Sequence, residues 1–596
     1  MRPVVFDGQF GWLHPAAGPH GVVLCYPFGY DALCTYRGMR RLAERLAARG
    51  IAVLRFDYPG TGDSAGDASE PGRWRAWIDS ITKAVVLLRQ STGVERVSLC
   101  GLRLGGTLAA LAAQQLGDVG GLVLLSPVLS GKNYQRELRA GYRQWLSMPA
   151  AMDCTPEPDT DEFVEAYGFR LYREALENLR AVDLRRDAPA PARRVLMLDS
   201  LDATRVDALA AHYREQGIEV ERRGFDEYSK FMMESLDSEI PRAAFESVEN
   251  WLAAGSDDLA AAARDADTHL SADDPEGHTV EAGVTETPVW IDGGRMFGMY
   301  CTPHASRVTT GGAPAVLMVN TGAVSRIGNA RLGVRFARRL ARQGIASLRV
   351  DLGGLGDSQP SLDAVTLDAL YAQEGANDAA CAARWLAARG HSGVVLLGIC
   401  AGAYVGLYAA SREPAVTGAV LVNLQKFTWR NICDENGKPT VRVAAIGSTR
   451  SYLRSMCEPR KWLRVVKGQT GGWPVARELA ALDARGVPTR LLYGVLDDGV
   501  EELEKYFGVR GARLRRLRRV QVSFRERMDH AILSASAQEN VMSYFEDFYR
   551  SQFGEQPGAV ADEAAGFQDA GRSGRRARAA QWLARQARAF RLSGEA

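Results

Sequence analysis

Along this chain, short unbroken apolar runs alternate with longer stretches that carry apolar residues at helical spacing. Gly21-Val22-Val23-Leu24-Cys25-Tyr26-Pro27-Phe28-Gly29 reads as a buried strand running into a loop. A helix is predicted over 36–49 and a second strand over 51–57, then a Gly/Asp/Ser loop over 58–64 and a third strand from Arg96 into Gly101-Leu102-Arg103-Leu104-Gly105. The same order returns later: a strand and loop over 315–322, a helix over 331–343, a strand over 345–351, a loop over 352–358 and a strand from Val394. Asp63 and Asp357 lie 294 positions apart and Gly101 and Gly398 lie 297 apart, so two separate motifs keep near-constant register. That is a tandem duplication. Continuous apolar strands alternating with helices predict an α/β chain with two mostly parallel, doubly wound sheets, each covered by helices on both faces.

Composition places the join. Residues 255–287 hold Asp257, Asp258, Asp265, Asp267, Asp273, Asp274 and Glu276 among Ala, Ser and Gly, a solvated linker by content. The expected units are 1–254 and 288–553, the second opened by a hairpin over 288–300. An aromatic, Arg-rich helical insertion is expected in each, at about 130–190 (Tyr134, Tyr142, Trp145, Tyr167) and about 425–487 (Phe427, Trp429, Tyr452, Trp462). The tail, 554–596, is polar but ends in a short basic helix around Trp582, Leu583 and Phe590. It reads either as a contact for an anionic membrane surface or another protein, or as a frayed terminus.

The candidate chemistry sits at Gly398-Ile399-Cys400-Ala401-Gly402. A strand, a sharp turn and a small-residue helix follow one another there, with a thiol at the apex. The glycines two positions to either side remove side chains that would strike the strand or the helix. The apex lies near a helix N-terminus, whose partial positive charge favours a thiolate. A space-filling buried cysteine is the rival reading.

This stretch resembles the nucleophile elbow of the α/β hydrolases, with Cys where most members carry Ser. The resemblance implies that Cys400 is the nucleophile, and that acid and histidine follow it in the chain. The strand over 488–494 leads into Asp497, with Asp498 as the alternate acid, and His530 is the only histidine after Cys400. His391 precedes the elbow strand, at the opposite end of the sheet. The resemblance further implies an oxyanion hole from the Ala401 N–H and the Asn320-Thr321-Gly322 loop (Thr321 or Gly322), and that the insertions form roofs over the substrate. The insertions read equally as core extensions or as an interface between the halves.

The first unit departs from the pattern. Arginine stands at its apex, and Arg103 stays protonated and cannot be a nucleophile. The segment 227–232 has no histidine in the base slot. Arg103 reads either as a ligand-binding residue for a carboxylate or phosphate, or as a structural partner of Asp199 or Asp202.

The chain has 596 residues, 46% hydrophobic and 24% charged, and a formal net charge of +2 that suggests no nucleic-acid partner. Nine cysteines without CxxC pairs fit a reducing compartment and argue against a disulfide framework and a zinc site. No cofactor or metal is expected, and a cytoplasmic location is. The Ala/Arg-rich composition suggests a bacterial source. The expected activity is acyl transfer or hydrolysis of an ester or thioester, on a small-molecule or carrier-bound acyl substrate, through an acyl-Cys400. The alternative is a non-catalytic scaffold of two retired hydrolase units.

Overall fold

The computed structural model describes residues 1–148, 151, 154, 162–186, 191–199, 203–254, 277–303, 313–428 and 474–554. Strands form where the apolar runs are. The first half contributes β1 (Arg2–Phe6), β2 (Gln9–His14), β3 (His20–Cys25), β4 (Ala52–Phe56), β5 (Arg96–Leu102), β6 (Gly121–Leu125), a separate hairpin of β7 (Phe163–Ala166) and β8 (Phe169–Tyr172), then β9 (Arg194–Asp199) and β10 (Glu219–Gly224). The second half contributes β11 (His278–Glu281), β12 (Val284–Ile291), β13 (Met296–Pro303), β14 (Ala315–Met318), β15 (Ser347–Asp351), β16 (Val394–Ile399), β17 (Val416–Val422), β18 (Thr489–Gly494) and β19 (Val520–Arg525).

The first sheet runs β1-β2-β4-β3-β5-β6-β9-β10 and the second β11-β12-β13-β15-β14-β16-β17-β18-β19. From β4 to β10, and from β15 to β19, neighbouring strands are parallel, and antiparallel strands flank each run on one side. The second sheet therefore repeats the order of the first with one strand added. The core strands β3, β6 and β16 are buried along their whole length, as two-sided helix cover requires.

Two expectations need correction. The linker expected to run to residue 287 ends sooner, because β11 and the start of β12 already pair within the second sheet. The acidic content misleads there because Glu286 is fully buried and bound by Arg338 (2.8 Å) and Arg349 (2.8 Å). The first insertion is not wholly helical: Gly131–Leu146 and Arg173–Ala181 are helices, but β7 and β8 pair between them. Most of the second insertion (429–473) and the tail beyond 554 lie outside the described residues.

Both sheets fall within one compact unit, Met1–Pro557. The Asp-x-x-Gly-x-Gly-Asp-Ser loops join them. Each loop closes on itself in the same way: Asp57 accepts from Asp63 N (2.9 Å) and Asp351 from Asp357 N (3.0 Å). Ser64 and Ser358 each accept from the backbone of the adjacent antiparallel strand, at Phe10 N (2.9 Å) and Phe297 N (2.8 Å). The loops then exchange partners. Asp357 binds Arg55 of the first half (2.6 Å), and Asp63 binds Arg349 of the second (2.5 Å). Arg55 and Arg349 occupy equivalent positions in the repeat, so the contact is reciprocal, as in a two-fold dimer.

Arg326 lies between the loops, bound to Asp63 (2.6 Å), Asp351 (2.8 Å) and Asp357 (2.6 Å). Its guanidinium stacks 4.4 Å from the ring centroid of Phe297. Phe297 in turn stacks on its counterpart Phe10 at 6.2 Å, within a small junction core that also holds Trp12 and Met299.

Removing one member of a buried ion pair strands the other charge without water, at a cost of about 3–5 kcal/mol. Asp63→Asn and Asp357→Asn should each lower stability by about that much, measured by urea denaturation. Asp118→Asn, which removes only the exposed partner of Arg89, should cost under about 1 kcal/mol. Equal losses for all three would refute the buried junction.

Candidate active site

Cys400 occupies the apex between β16 and the helix Ala401–Arg412, with φ 56° and ψ −120°. The backbone needs its glycines. A Cβ on Gly398 would stand 2.2 Å from Gly402 O, and one on Gly402 would stand 2.4 Å from Asn320 O. The sharp turn thus lets the helix start press against the loop that follows β14.

His530 Nε2 lies 3.1 Å from Cys400 Sγ, and His530 Nδ1 lies 2.6 Å from Asp497 Oδ2. Asp497 is buried, and its other oxygen accepts from Gly499 N (2.7 Å); Asp498 is exposed at the start of the next helix. The structure therefore brings Asp497, and not the alternate Asp498, to the histidine. Burial pushes the His530 imidazole down, but the Cys400 sulfur and the Asp497 carboxylate outweigh it and hold His530 well above its ordinary value of 6.5. His391 is remote, with Nε2 2.9 Å from the Tyr300 hydroxyl.

Of the expected oxyanion residues, Ala401 opens the helix, Thr321 and Gly322 lie in the loop beside it, and Gly322 and Ala401 line a cavity of about 360 Å³. Asn320 pins that loop. Its amide donates to Asp351 (2.8 Å) and to Val324 O (2.9 Å), and its oxygen accepts from Leu352 N (2.8 Å). Asp351 is itself held by Arg326, so the junction between the halves reaches the loop through two side chains.

The motifs gave no sign of three further residues. Asn423 donates to His530 O (3.0 Å) and accepts from Gly494 N (2.9 Å), tying the ends of β17 and β18 to the histidine loop. Asp529 accepts from Leu533 N (2.7 Å) and Ser534 N (2.9 Å) and shapes the same loop. The Tyr371 hydroxyl is hydrogen-bonded to Cys400; burial and the sulfur push the phenol far above its ordinary value. Tyr371 belongs to a turn 29 positions before the elbow, where no local pattern marks it.

The first half keeps the elbow without its chemistry. Arg103 has φ 53° and ψ −122°, nearly the angles of Cys400. Its guanidinium meets Asp31 (3.5 Å) and Glu137 and lies over the Tyr134 ring. Of the two expected partners, Asp199 instead accepts from Ser126 Oγ (3.4 Å), and Asp202 lies outside the described residues. Where a base would stand there is a short helix, Tyr228–Phe231.

Residues 34–157, which include this altered elbow, match the model of the family described as serine aminopeptidase, S33. The sheet order and the two strained elbows agree with that match. The chain has the α/β-hydrolase fold.

Parts of the chain are similar to solved hydrolase structures at low identity. Est1E from Butyrivibrio proteoclasticus, with ferulic acid bound, is 16% identical over 43% of this chain and 99% of its own, with a TM-score of 0.32. A monoglyceride lipase from Saccharomyces cerevisiae is 14% identical over 43% of this chain and 95% of its own, TM-score 0.30. Proline iminopeptidase from Mycobacterium smegmatis is 15% identical over 43% of this chain and 98% of its own, TM-score 0.29. No curated protein matches the chain in sequence. Among the described residues no helix of this hydrolase fold is long and apolar enough to cross a membrane, and no cluster of three or more His, Cys, Asp or Glu could hold a metal.

The raised His530 has a pH signature. Its folded value lies above the ordinary 6.5, so its contribution to stability is full below pH 6.5 and is lost as pH rises through the folded value. In an NMR titration His530 should remain protonated above pH 6.5, and Cys400→Ala should bring its midpoint down. An unchanged midpoint in that variant would refute the coupling.

Proposed function

We propose that the second half is a cysteine acyl hydrolase or acyltransferase acting on an ester or thioester. The observation that carries this reading is the continuous chain of contacts from Cys400 Sγ through His530 to Asp497, at 3.1 and 2.6 Å. A nucleophile, a base in reach of it and a carboxylate orienting that base are the parts that covalent acyl transfer requires.

The Cys400 sulfur attacks the substrate carbonyl carbon, and its proton resides on His530 Nε2. The carbonyl oxygen takes up the negative charge and is met by the N–H of Ala401 and of Thr321 or Gly322. As the intermediate collapses, the bond to the leaving group breaks and His530 gives it the proton, leaving an acyl-thioester on Cys400. Water, an alcohol or an amine then gives its proton to His530, attacks the thioester carbon and releases the acyl group with the sulfur regenerated. Asp497 holds the imidazole in the required tautomer throughout. A thioester passes its acyl group readily to a second nucleophile, so transfer and hydrolysis are both open to this site. The bacterial, cytoplasmic enzyme suggested by composition would meet its acyl substrate free or carrier-bound.

The thiol gives a direct test. Burial raises Cys25, Cys34 and Cys301 above the ordinary thiol range and pushes Cys100 up to about 12, whereas Cys400 is partly exposed beside a base. Cys400 should be alkylated by iodoacetamide near neutral pH at least tenfold faster than these four, mapped by peptide mass spectrometry. Labelling at the same rate would favour the scaffold reading.

Turnover of a fluorogenic ester or an acyl-thioester should be lost in Cys400→Ala. It should fall about 10²- to 10⁴-fold in Asp497→Asn, where the imidazole loses its orienting carboxylate. Wild-type protein without turnover and without an acyl adduct at Cys400 would overturn the reading.

A further inference from the structure

Between the two halves lies a cavity of about 390 Å³, of a size that small-molecule sites occupy. Cys400, His530 and Asp497 are not among the residues that line it. The first half forms part of its wall from the loops at the carboxyl ends of β3 and β4, the end of an open α/β sheet at which ligands bind. Phe28, Tyr58, Phe169 and Tyr172 supply aromatic surface, and the second half adds the guanidinium groups of Arg331 and Arg335.

These two cations are held in an unusual way. Arg331 is buried and donates to the carbonyl oxygens of Gly62 (2.7 Å), Gly60 (2.9 Å), Gly66 (2.9 Å) and Ser64. Arg335 donates to Gln538 Oε1 (2.9 Å). Among the described residues neither forms an ion pair with a carboxylate. Burial draws Arg331 down to about 9 and lowers Arg335 as well, the direction expected of charges short of a counterion.

The acids and the remaining cation on the same wall have partners of their own, and Asp67 and Glu539 act on the two arginines only through space, without a direct ion pair. Glu539 accepts from Arg339 with both oxygens (2.9 Å each), Asp67 accepts from Ser69 N (2.9 Å) and Asp57 from Asp63 N (2.9 Å), and Arg170 pairs with Glu165 (3.3 Å).

The internal repeat supplies a comparison within the same molecule. The equivalent place across the junction has Gly354, Leu355 and Gly356 where the cavity has Gly60, Thr61 and Gly62. There Leu362, Val365 and Arg40 line a void of only about 20 Å³. Docking the two loops does not by itself create the larger space.

We propose that this cavity binds a small organic carboxylate with an aromatic or short aliphatic body. The carboxylate lies in the two-pronged geometry a guanidinium favours on Arg335, beside the remaining N–H of Arg331, and supplies the direct ion pair that neither arginine has. The body packs among Phe28, Tyr58, Phe169 and Tyr172. The site requires no reaction at Cys400, so its failure and the failure of the acyl-transfer reading are separable.

Isothermal titration of the full chain with phenylacetate and hexanoate, beside phenylacetamide and hexanamide, tests this. At least one acid should bind saturably, and at least tenfold more tightly than its amide. Arg335→Gln should weaken that binding at least tenfold, and Ala68→Trp, which fills the cavity from its wall, should abolish it. Melting temperatures of the unliganded variants report whether they fold. If either variant does not fold, the comparison of acid with amide on the unaltered protein still decides. No binding by either acid, equal binding of acid and amide, or binding that survives both folded variants would overturn the proposal. So would loss of binding in Cys400→Ala, which would put the acid at the triad instead.

Discussion

The structure depends on an exchange of buried aspartates between its two halves. Asp63 leaves its own sheet to meet Arg349, Asp357 makes the reciprocal move to Arg55, and Arg326 binds both acids at once. None of these side chains is more than marginally exposed. Charges taken out of water are costly unless each finds a well-placed partner. Asp63 and Arg55 take their charged partners from the other half, so the first half does not present a satisfied surface alone. The apolar contribution is small and local, a stack of Phe10 on Phe297 with Trp12 beside it. Specificity at the junction therefore comes from ions and hydrogen bonds.

That exchange also joins the halves to the chemistry. Arg326 holds Asp351, Asp351 holds Asn320, and Asn320 fixes the loop beside the Cys400 elbow. A second contact runs from the first insertion, where Cys154 Sγ lies 3.8 Å from Asp529 Oδ2, and Asp529 shapes the histidine loop. The half that lost its nucleophile is thus a structural neighbour of both loops around the sulfur.

The two elbows clarify what backbone strain means. Arg103 and Cys400 share a positive φ that non-glycine residues rarely adopt. Arg103 has no nucleophilic role, yet the strain persists, because the close crossing of strand and helix requires it: a Cβ on Gly105 would stand 2.2 Å from Cys25 O. The strained turn belongs to the fold. What distinguishes the second half is the histidine and the carboxylate that converge on its apex.

Apolar runs and small residues at tight turns are local properties, and local properties determined the strands, the repeat and the elbow around Cys400. The order of residues after the elbow, together with the family resemblance, pointed to His530 and narrowed the acid to two neighbours. Only folding chose between them, because Asp497 and Asp498 differ in direction and burial and not in pattern. The same holds for Tyr371 and Asn423, which reach the site from turns without a motif. It holds too for Glu286, whose acidic surroundings suggested solvent although two arginines bury it. The loops ending in Asp63-Ser64 and Asp357-Ser358 were visible as a repeat, but their role at the junction was not. An ion pair between residues almost three hundred positions apart depends on how two sheets dock, and no periodicity along the chain encodes that.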